Sequence, residues 1–371
     1  MTSGVLTFST VPASHLGLGK RIAPPKSKIL NPDFWDHYDA DTLIYDVIWQ
    51  PQMNRLRLFL PQPLNFEEPL MAARFQVDGI ARKPKLTRYQ RFATIDLKVT
   101  LQPHNLHIAT ADAGVDIPVN IANAEQYAGR NVIFTMLKDD DITWIIDWIT
   151  AHQRNHGADA VIIANNGSTA YTSAELCKAI NAVPGIEVAN VIDVPLVHGP
   201  RGGTATQFGL AKFLQTACLN IVRDRLLQRA RAVLICDVDE LVAEPGGKSI
   251  FDATVASVFK YRTFQGYWRF LQQETASPRH ADHVVGDPQG KPCPTKYCIV
   301  PDSHFGRMCW SVHSLENVNR RIFRPRSTFR FYHCRGINTS WKSQRQGLLD
   351  QAGLPDPETQ AFMETTFDHG K

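Results

Sequence analysis

The chain has 371 residues, 43% of them hydrophobic, enough to bury one large core or two ordinary ones. Lys plus Arg total 40 against 36 Asp plus Glu, and the resulting net charge of +4 is too small to mark a nucleic-acid binder. No apolar stretch reaches the roughly 18 residues of a membrane-spanning helix, and the N-terminal segment lacks the layout of a secretory signal.

Residues 1–30, rich in Gly, Pro, Lys and Ser, read as a flexible arm. Residues 31–125 carry short, partly alternating runs such as TLIYDVIWQ, RLRLFLPQP and FATIDLKVT, broken by Pro, Asn and Gly. They predict a small antiparallel β-rich accessory domain. Alternation at Arg55-Leu56-Arg57-Leu58 predicts one wet face and one dry face.

From about 130 the rhythm changes to strand and helix. NVIFTML (131–137), DAVIIAN (159–165), IEVANVI (186–192) and AVLIC (232–236) predict strands. DITWIIDWITAHQRNHG (141–157), TSAELCKAINAV (172–183) and a long segment over 203–230 predict helices. Thr172 or Ser173 caps the second of these, with Glu175 placed for a capping box. The alternation predicts an α/β domain over 126–342, built on a mostly parallel sheet with right-handed crossovers. Residues 343–371 read as a helical tail. The seven cysteines, odd in number and without a CxxC pair, read as reduced thiols in a cytoplasmic protein.

The stretch AVLICDVDELV (232–242) drives an apolar strand into three acids, Asp237, Asp239 and Glu240. In extended backbone, residues i and i+2 point the same way, so Asp237 and Asp239 can present two hard oxygen ligands to Mg2+ or Mn2+. Ligands of such sheets bind beyond the carboxyl ends of the strands, where these acids lie. A polar turn is the bland alternative. A haloacid-dehalogenase-type phosphatase, with Asp237 as nucleophile, is the chemical one. Against it, three strand–helix units precede the motif and little regular α/β pattern follows it.

Two stretches together resemble one family. They are FTMLKDDDITWIIDWITAHQRNHGADAVIIANNGST (134–169) and LLQRARAVLICDVDELV (226–242). They look like the family 92 and family 2-like glycosyltransferases of the GT-A fold. Lys138-Asp139-Asp140 stands where that family has Lys-Asn-Glu, and Asp147-Trp148 with His152 stands for its Glu-Trp and His. Gly157-Ala158-Asp159 and Asn165-Asn166-Gly167-Ser168 follow, and Asp237 to Leu241 fill the last motif unchanged. The resemblance covers the centre of the chain and not residues 1–125.

The resemblance implies a GT-A (Rossmann-like) domain that transfers a sugar from a nucleotide diphosphate-sugar to a glycan or lipid-linked glycan acceptor, in polysaccharide or cell-surface glycan biosynthesis. Thr135, Lys138, Asp139, Asn165, Asn166 and Ser168 would meet the nucleotide, although Asn166 and Ser168 serve a turn equally well. Trp148 and His152 share a helical face, which also fits plain packing on the sheet. A later histidine would complete the metal site, His333 before His313, since imidazole suits Mn2+. Arg335, Lys342 and the run Arg320 to Arg326 are candidate diphosphate or acceptor contacts. Glu240, Asp282 and Asp287 are the candidate catalytic carboxylates, with Glu274 and Asp302 in the same region. Tyr267, Trp268 and Trp310 would stack on sugar or fill the core. A silent nucleotide-sugar-binding protein is the non-enzymatic alternative. Peripheral contact with the inner face of a membrane and homo-oligomer formation stay open, while nucleic acid is not expected.

Overall fold

The computed structural model describes residues 3–24, 32–200, 211–319, 328–339 and 353–367. The chain packs as two units. One comprises Met1–Leu6, Gln126–Asp193 and Arg229–Lys371; the other comprises Thr7–Glu125 and Val194–Gln228. The fold is mixed α/β, with one large mixed sheet and several small, mostly antiparallel ones. Among the described residues, no helix is long and apolar enough to cross a membrane. All seven cysteines are buried and none is in a disulfide.

The first unit is organised by an eleven-stranded sheet. Its strands are β1 (Gly4–Thr7), β2 (Asn131–Leu137), β3 (Ala160–Asn165), β4 (Val188–Asp193), β5 (Ala232–Ile235), β6 (Glu240–Ala243), β7 (Tyr261–Phe270), β8 (Val285–Gly286), β9 (Pro292–Ile299), β10 (Arg330–Cys334) and β11 (Leu354–Pro355). The main order is β1-β4-β3-β2-β5-β9-β7-β8-β11; β10 pairs with both β7 and β6. β2, β3, β4 and β5 are mutually parallel, and β9 joins β5 antiparallel. β2 and β3 are buried almost throughout, which explains apolar runs without alternation.

Two helices follow the first strands. α1 (Ile142–His156) starts at Asp141, whose carboxylate accepts the Thr143 N–H, and ends at Gly157 in left-handed backbone with φ 71°. It buries Ile145, Trp148, Ile149 and His152, a helical stripe against the sheet. α2 (Ser173–Asn181) carries a complete capping box between Thr172 and Glu175.

The strand order positions the site. From β2 the chain steps outward to β3 and β4, and then returns to place β5 on the other side of β2. The order therefore reverses between β2 and β5. Such reversals leave a crevice at the carboxyl ends of the two strands, where open α/β sheets take their ligands.

The second unit holds a five-stranded sheet, Asn120–Ile121, Asp46–Gln50, Arg55–Pro61, Phe92–Lys98 and Lys85–Arg88 in that order, and a four-stranded antiparallel one. Two findings differ from the sequence reading. The expected arm contributes β1 to the large sheet and Val11–Pro12 to a two-stranded sheet in the second unit. The expected long helix is, within its described part, Leu214–Val222 followed by a π-turn over Arg223–Leu227, and it belongs to the second unit. Arg57, placed by alternation on a wet face, is buried. Two of its guanidinium nitrogens lie 2.7 Å from Asp96 and a third 2.9 Å from Asp224, so paired charge replaces water.

Candidate functional site

β5 ends at Ile235, and the chain turns through Asp237 to Asp239 before β6 begins at Glu240. The turn is closed twice. The Glu240 N–H donates to the Asp237 carbonyl at 3.1 Å, and the Asp237 N–H donates to Glu240 Oε2 at 2.8 Å. β6 runs antiparallel to β10 with Glu240 opposite His333. His333 Nε2 lies 2.9 Å from Asp239 Oδ2, and its Nδ1 lies 3.7 Å from Glu240 Oε1. The Cys334 N–H also donates to the Asp239 carbonyl at 2.7 Å. Ligand atoms of Asp239, Glu240 and His333 all fall within 4.8 Å of one another.

Asp237 takes a different partner. Lys296 of β9 is 1% exposed, and its Nζ sits 2.9 Å from Asp237 Oδ2 and 3.0 Å from Glu240 Oε2. Sequence reading paired Asp237 with Asp239 as metal ligands and gave Glu240 a catalytic role. The structure instead groups Glu240 with Asp239 and His333, and sets Asp237 against a lysine. Burial pushes the Glu240 carboxyl up in pKa; Lys296 and His333 oppose that, while Asp237 and Asp239 add to it. For Lys296, burial pulls down, yet Asp237 and Glu240 outweigh it and hold the ammonium charged. Two carboxylates and an imidazole at this spacing make a donor set suited to Mn2+ or Mg2+.

Aromatic and basic groups stand beside the cluster. The His333 ring stacks on Trp268 with centroids 4.0 Å apart, and the Arg335 guanidinium lies 5.0 Å from the Trp268 ring centre. Lys296 escapes sequence reading as a site residue because the contacts that define it come from a remote strand, whereas Trp268, expected to stack on sugar or fill the core, stands against His333.

A buried layer supports the acidic turn. His280 Nε2–H donates to the Val238 carbonyl at 2.8 Å, and Asp147 stands 3.6 Å from His280 Nδ1 while pairing with both ends of the Arg279 fork. Asp147, of the Asp-Trp pair, thus reaches Arg279 and His280. His152 is fully buried. Its Nε2 accepts the Val242 N–H and its Nδ1–H donates to the Trp148 carbonyl, and burial first of all drives its pKa down to about 3.

The expected nucleotide residues gather at the carboxyl ends of β2 and β3, strands that are hydrogen-bonded neighbours. Asp139 adopts φ 56°, and its N–H donates to Ser168 Oγ at 2.8 Å. Its carboxylate accepts the N–H groups of Thr169 and Ala170; these outweigh partial burial and lower its pKa. Asn165 accepts the Ser168 N–H and donates to Ser173 Oγ, while the buried Asn166 donates its N–H to the Leu137 carbonyl. These side chains build the turn. Thr135 is 2% exposed and shares the strand face of Ile133 and Leu137, so it faces the core instead of the crevice. Lys138 is half-buried, and its carbonyl accepts from Thr339 Oγ1 at 3.0 Å.

That last bond ties the chain after β10 to the turn after β2. The segment 335–339 leaves β10 after Cys334, passes Gly336 against His283, and brings Thr339 onto Lys138. Arg335 lies on this strap.

Other candidates lie elsewhere. Asp282 accepts the Arg279 N–H and lines a cavity of about 360 Å3 with Gln272, Gln273, Gln360 and Glu364. Asp287 Oδ1 accepts the Gln289 N–H in a turn. Glu274 is exposed, Asp302 pairs with Arg307 at the surface, and His313 Nδ1 meets the Thr295 carbonyl at 3.2 Å. Trp310 is fully buried, with its Nε1–H on the Gly306 carbonyl. Lys342 and Arg320 to Arg326 lie outside the described residues. No protein-family model matches this chain, and no curated protein matches it significantly.

Proposed function

We propose that the protein is a metal-dependent glycosyltransferase of the GT-A type, moving a sugar from a nucleotide diphosphate-sugar to a hydroxyl acceptor. The observation that carries this reading is the place of the Asp239, Glu240 and His333 group. It sits just beyond β5, beside the crevice where strand order reverses. Asp239, Glu240 and His333 would hold Mn2+ or Mg2+, which would neutralise charge on the departing diphosphate. The Lys138–Asp139 turn gives the nucleotide a rigid floor, and Arg335 supplies a cation beside the metal ligands. Glu240 is 3% exposed, with Oε2 turned to Lys296 and the Asp237 N–H, so it holds the loop and does not face an acceptor. Of the remaining carboxylates, Asp282 opens on a cavity, whereas Asp287 closes its own turn. Asp282 is therefore the better base for the acceptor hydroxyl.

The test is a thermal-shift screen of UDP-, GDP- and CDP-sugars with and without Mn2+, followed by measurement of nucleoside diphosphate release. A shift that needs both the metal and one nucleotide, with release of that diphosphate, is expected. No shift with any pair sinks the reading.

One observation favours a second reading. Lys296 beside Asp237 would suit a phosphatase in which the Asp237 carboxylate attacks phosphorus, expels the alcohol, and leaves an acyl phosphate for water to hydrolyse. That reading requires phosphate ester hydrolysis without a sugar nucleotide and a covalent mark on Asp237.

A further inference from the structure

Lys296 precedes Tyr297, which pairs with Ile235 in the antiparallel register of β9 and β5. The register brings its side chain to the strand end where the three acids begin. An ammonium with 1% exposure persists only if carboxylates compensate it, and Asp237 and Glu240 do so at 2.9 and 3.0 Å. Glu240 therefore faces two ways. Its Oε2 meets Lys296, while its Oε1 turns towards His333.

We infer that Lys296 is a resident cation that takes Asp237 out of the metal's ligand set and limits the cluster to one divalent ion, held by Asp239, Glu240 and His333. The inference rests on the metal-dependent reading above. Charge supports it: among Asp237, Asp239, Glu240 and Lys296, three carboxylates and one ammonium sum to two negative charges, the complement of one divalent ion. Lys296 is thus a positioning residue. It fixes one oxygen of Glu240 and screens the half of the cluster that a second ion would otherwise enter.

The experiment titrates the full chain with Mn2+ alone by calorimetry at one pH, using wild type, Asp237→Asn, Asp239→Asn, Lys296→Gln and the double variant Asp237→Asn/Lys296→Gln. Wild type binds one ion. Asp237→Asn and Asp239→Asn remove the same charge, so any difference between them reports ligation. Asp237→Asn weakens binding about tenfold through charge alone, and Asp239→Asn weakens it at least about a hundredfold. Lys296→Gln tightens binding about tenfold or admits a second ion, and the double variant returns to within about threefold of wild type. A merely structural lysine would not reverse the Asp237→Asn defect. If Lys296→Gln does not fold, the two aspartate variants still decide. Equal loss in Asp237→Asn and Asp239→Asn overturns the inference while leaving the metal reading intact. A wild type that binds no Mn2+ overturns both.

Discussion

Acid should loosen the strap between His333 and Lys138 through one buried imidazole. His283 is fully buried; its Nδ1–H donates to the Arg279 carbonyl and its Nε2 accepts the Gly336 N–H, each at 2.9 Å. Burial, with His280 nearby, depresses its pKa from 6.5 to about 4. A second proton would set an N–H against the Gly336 N–H. The folded value lies below the unfolded one, so the stability held in the neutral ring is complete above about pH 6.5. It is lost as pH falls from there to about 4, and levels off below. At roughly 1.4 kcal/mol per pH unit, that window removes about 3 kcal/mol, a large share of a typical 5–15 kcal/mol. Urea unfolding between pH 7.5 and 4 should show wild-type stability falling steeply across this range. His283→Gln, which cannot titrate, should give a flatter curve. The slope will not vanish, because buried His152 acts in the same direction. A His283 ring that titrates near pH 6.5 by NMR, or a His283→Gln curve parallel to wild type, refutes the reasoning.

Other predictions follow from single contacts. Asp239→Ala should lower nucleoside diphosphate release about 100- to 1,000-fold with unfolding unchanged; wild-type turnover in the variant would remove Asp239 from the chemistry. At Gly266, opposite Phe331 in the pairing of β7 and β10, any Cβ would lie 2.0 to 2.5 Å from three atoms of the phenyl ring. Gly266→Ala should cost about 3 kcal/mol in urea unfolding, and less in a Phe331→Leu background; a cost equal in both backgrounds contradicts the packing account. Asp139 combines left-handed backbone with two accepted N–H bonds. Asp139→Asn should stay within about 1 kcal/mol of wild type, and Asp139→Ala should lose about 2–4 kcal/mol. Equal stability of the two would mean that the carboxylate does not hold the turn.

Sequence periodicity reads well where structure is local. Asn131–Leu137, Ala160–Asn165 and the helix from Ile142 to His156 fall within a residue or two of the expected segments, and the Thr172–Glu175 box is present as expected. The same pattern is silent on partners across the sheet. Nothing near Gly4–Thr7 signals a strand, because its stability comes from pairing with β4, far along the chain. Arg57 looked solvated because Asp224, its partner, lies 167 positions away. In the site, DVDE was legible as an acid cluster at a strand end. Which acid meets Lys296 and which meets His333 depends on two strand registers that the motif does not contain.

The 94 positions between Asp239 and His333 also set a timetable for the chain as it is made. During synthesis the acids emerge first, Lys296 follows, and the imidazole of His333 comes last of the three. A nascent chain halted between the last two carries a lysine-quenched acid cluster with no histidine to complete it. The three-donor group therefore forms only once His333 has been made, after the central strands of its sheet.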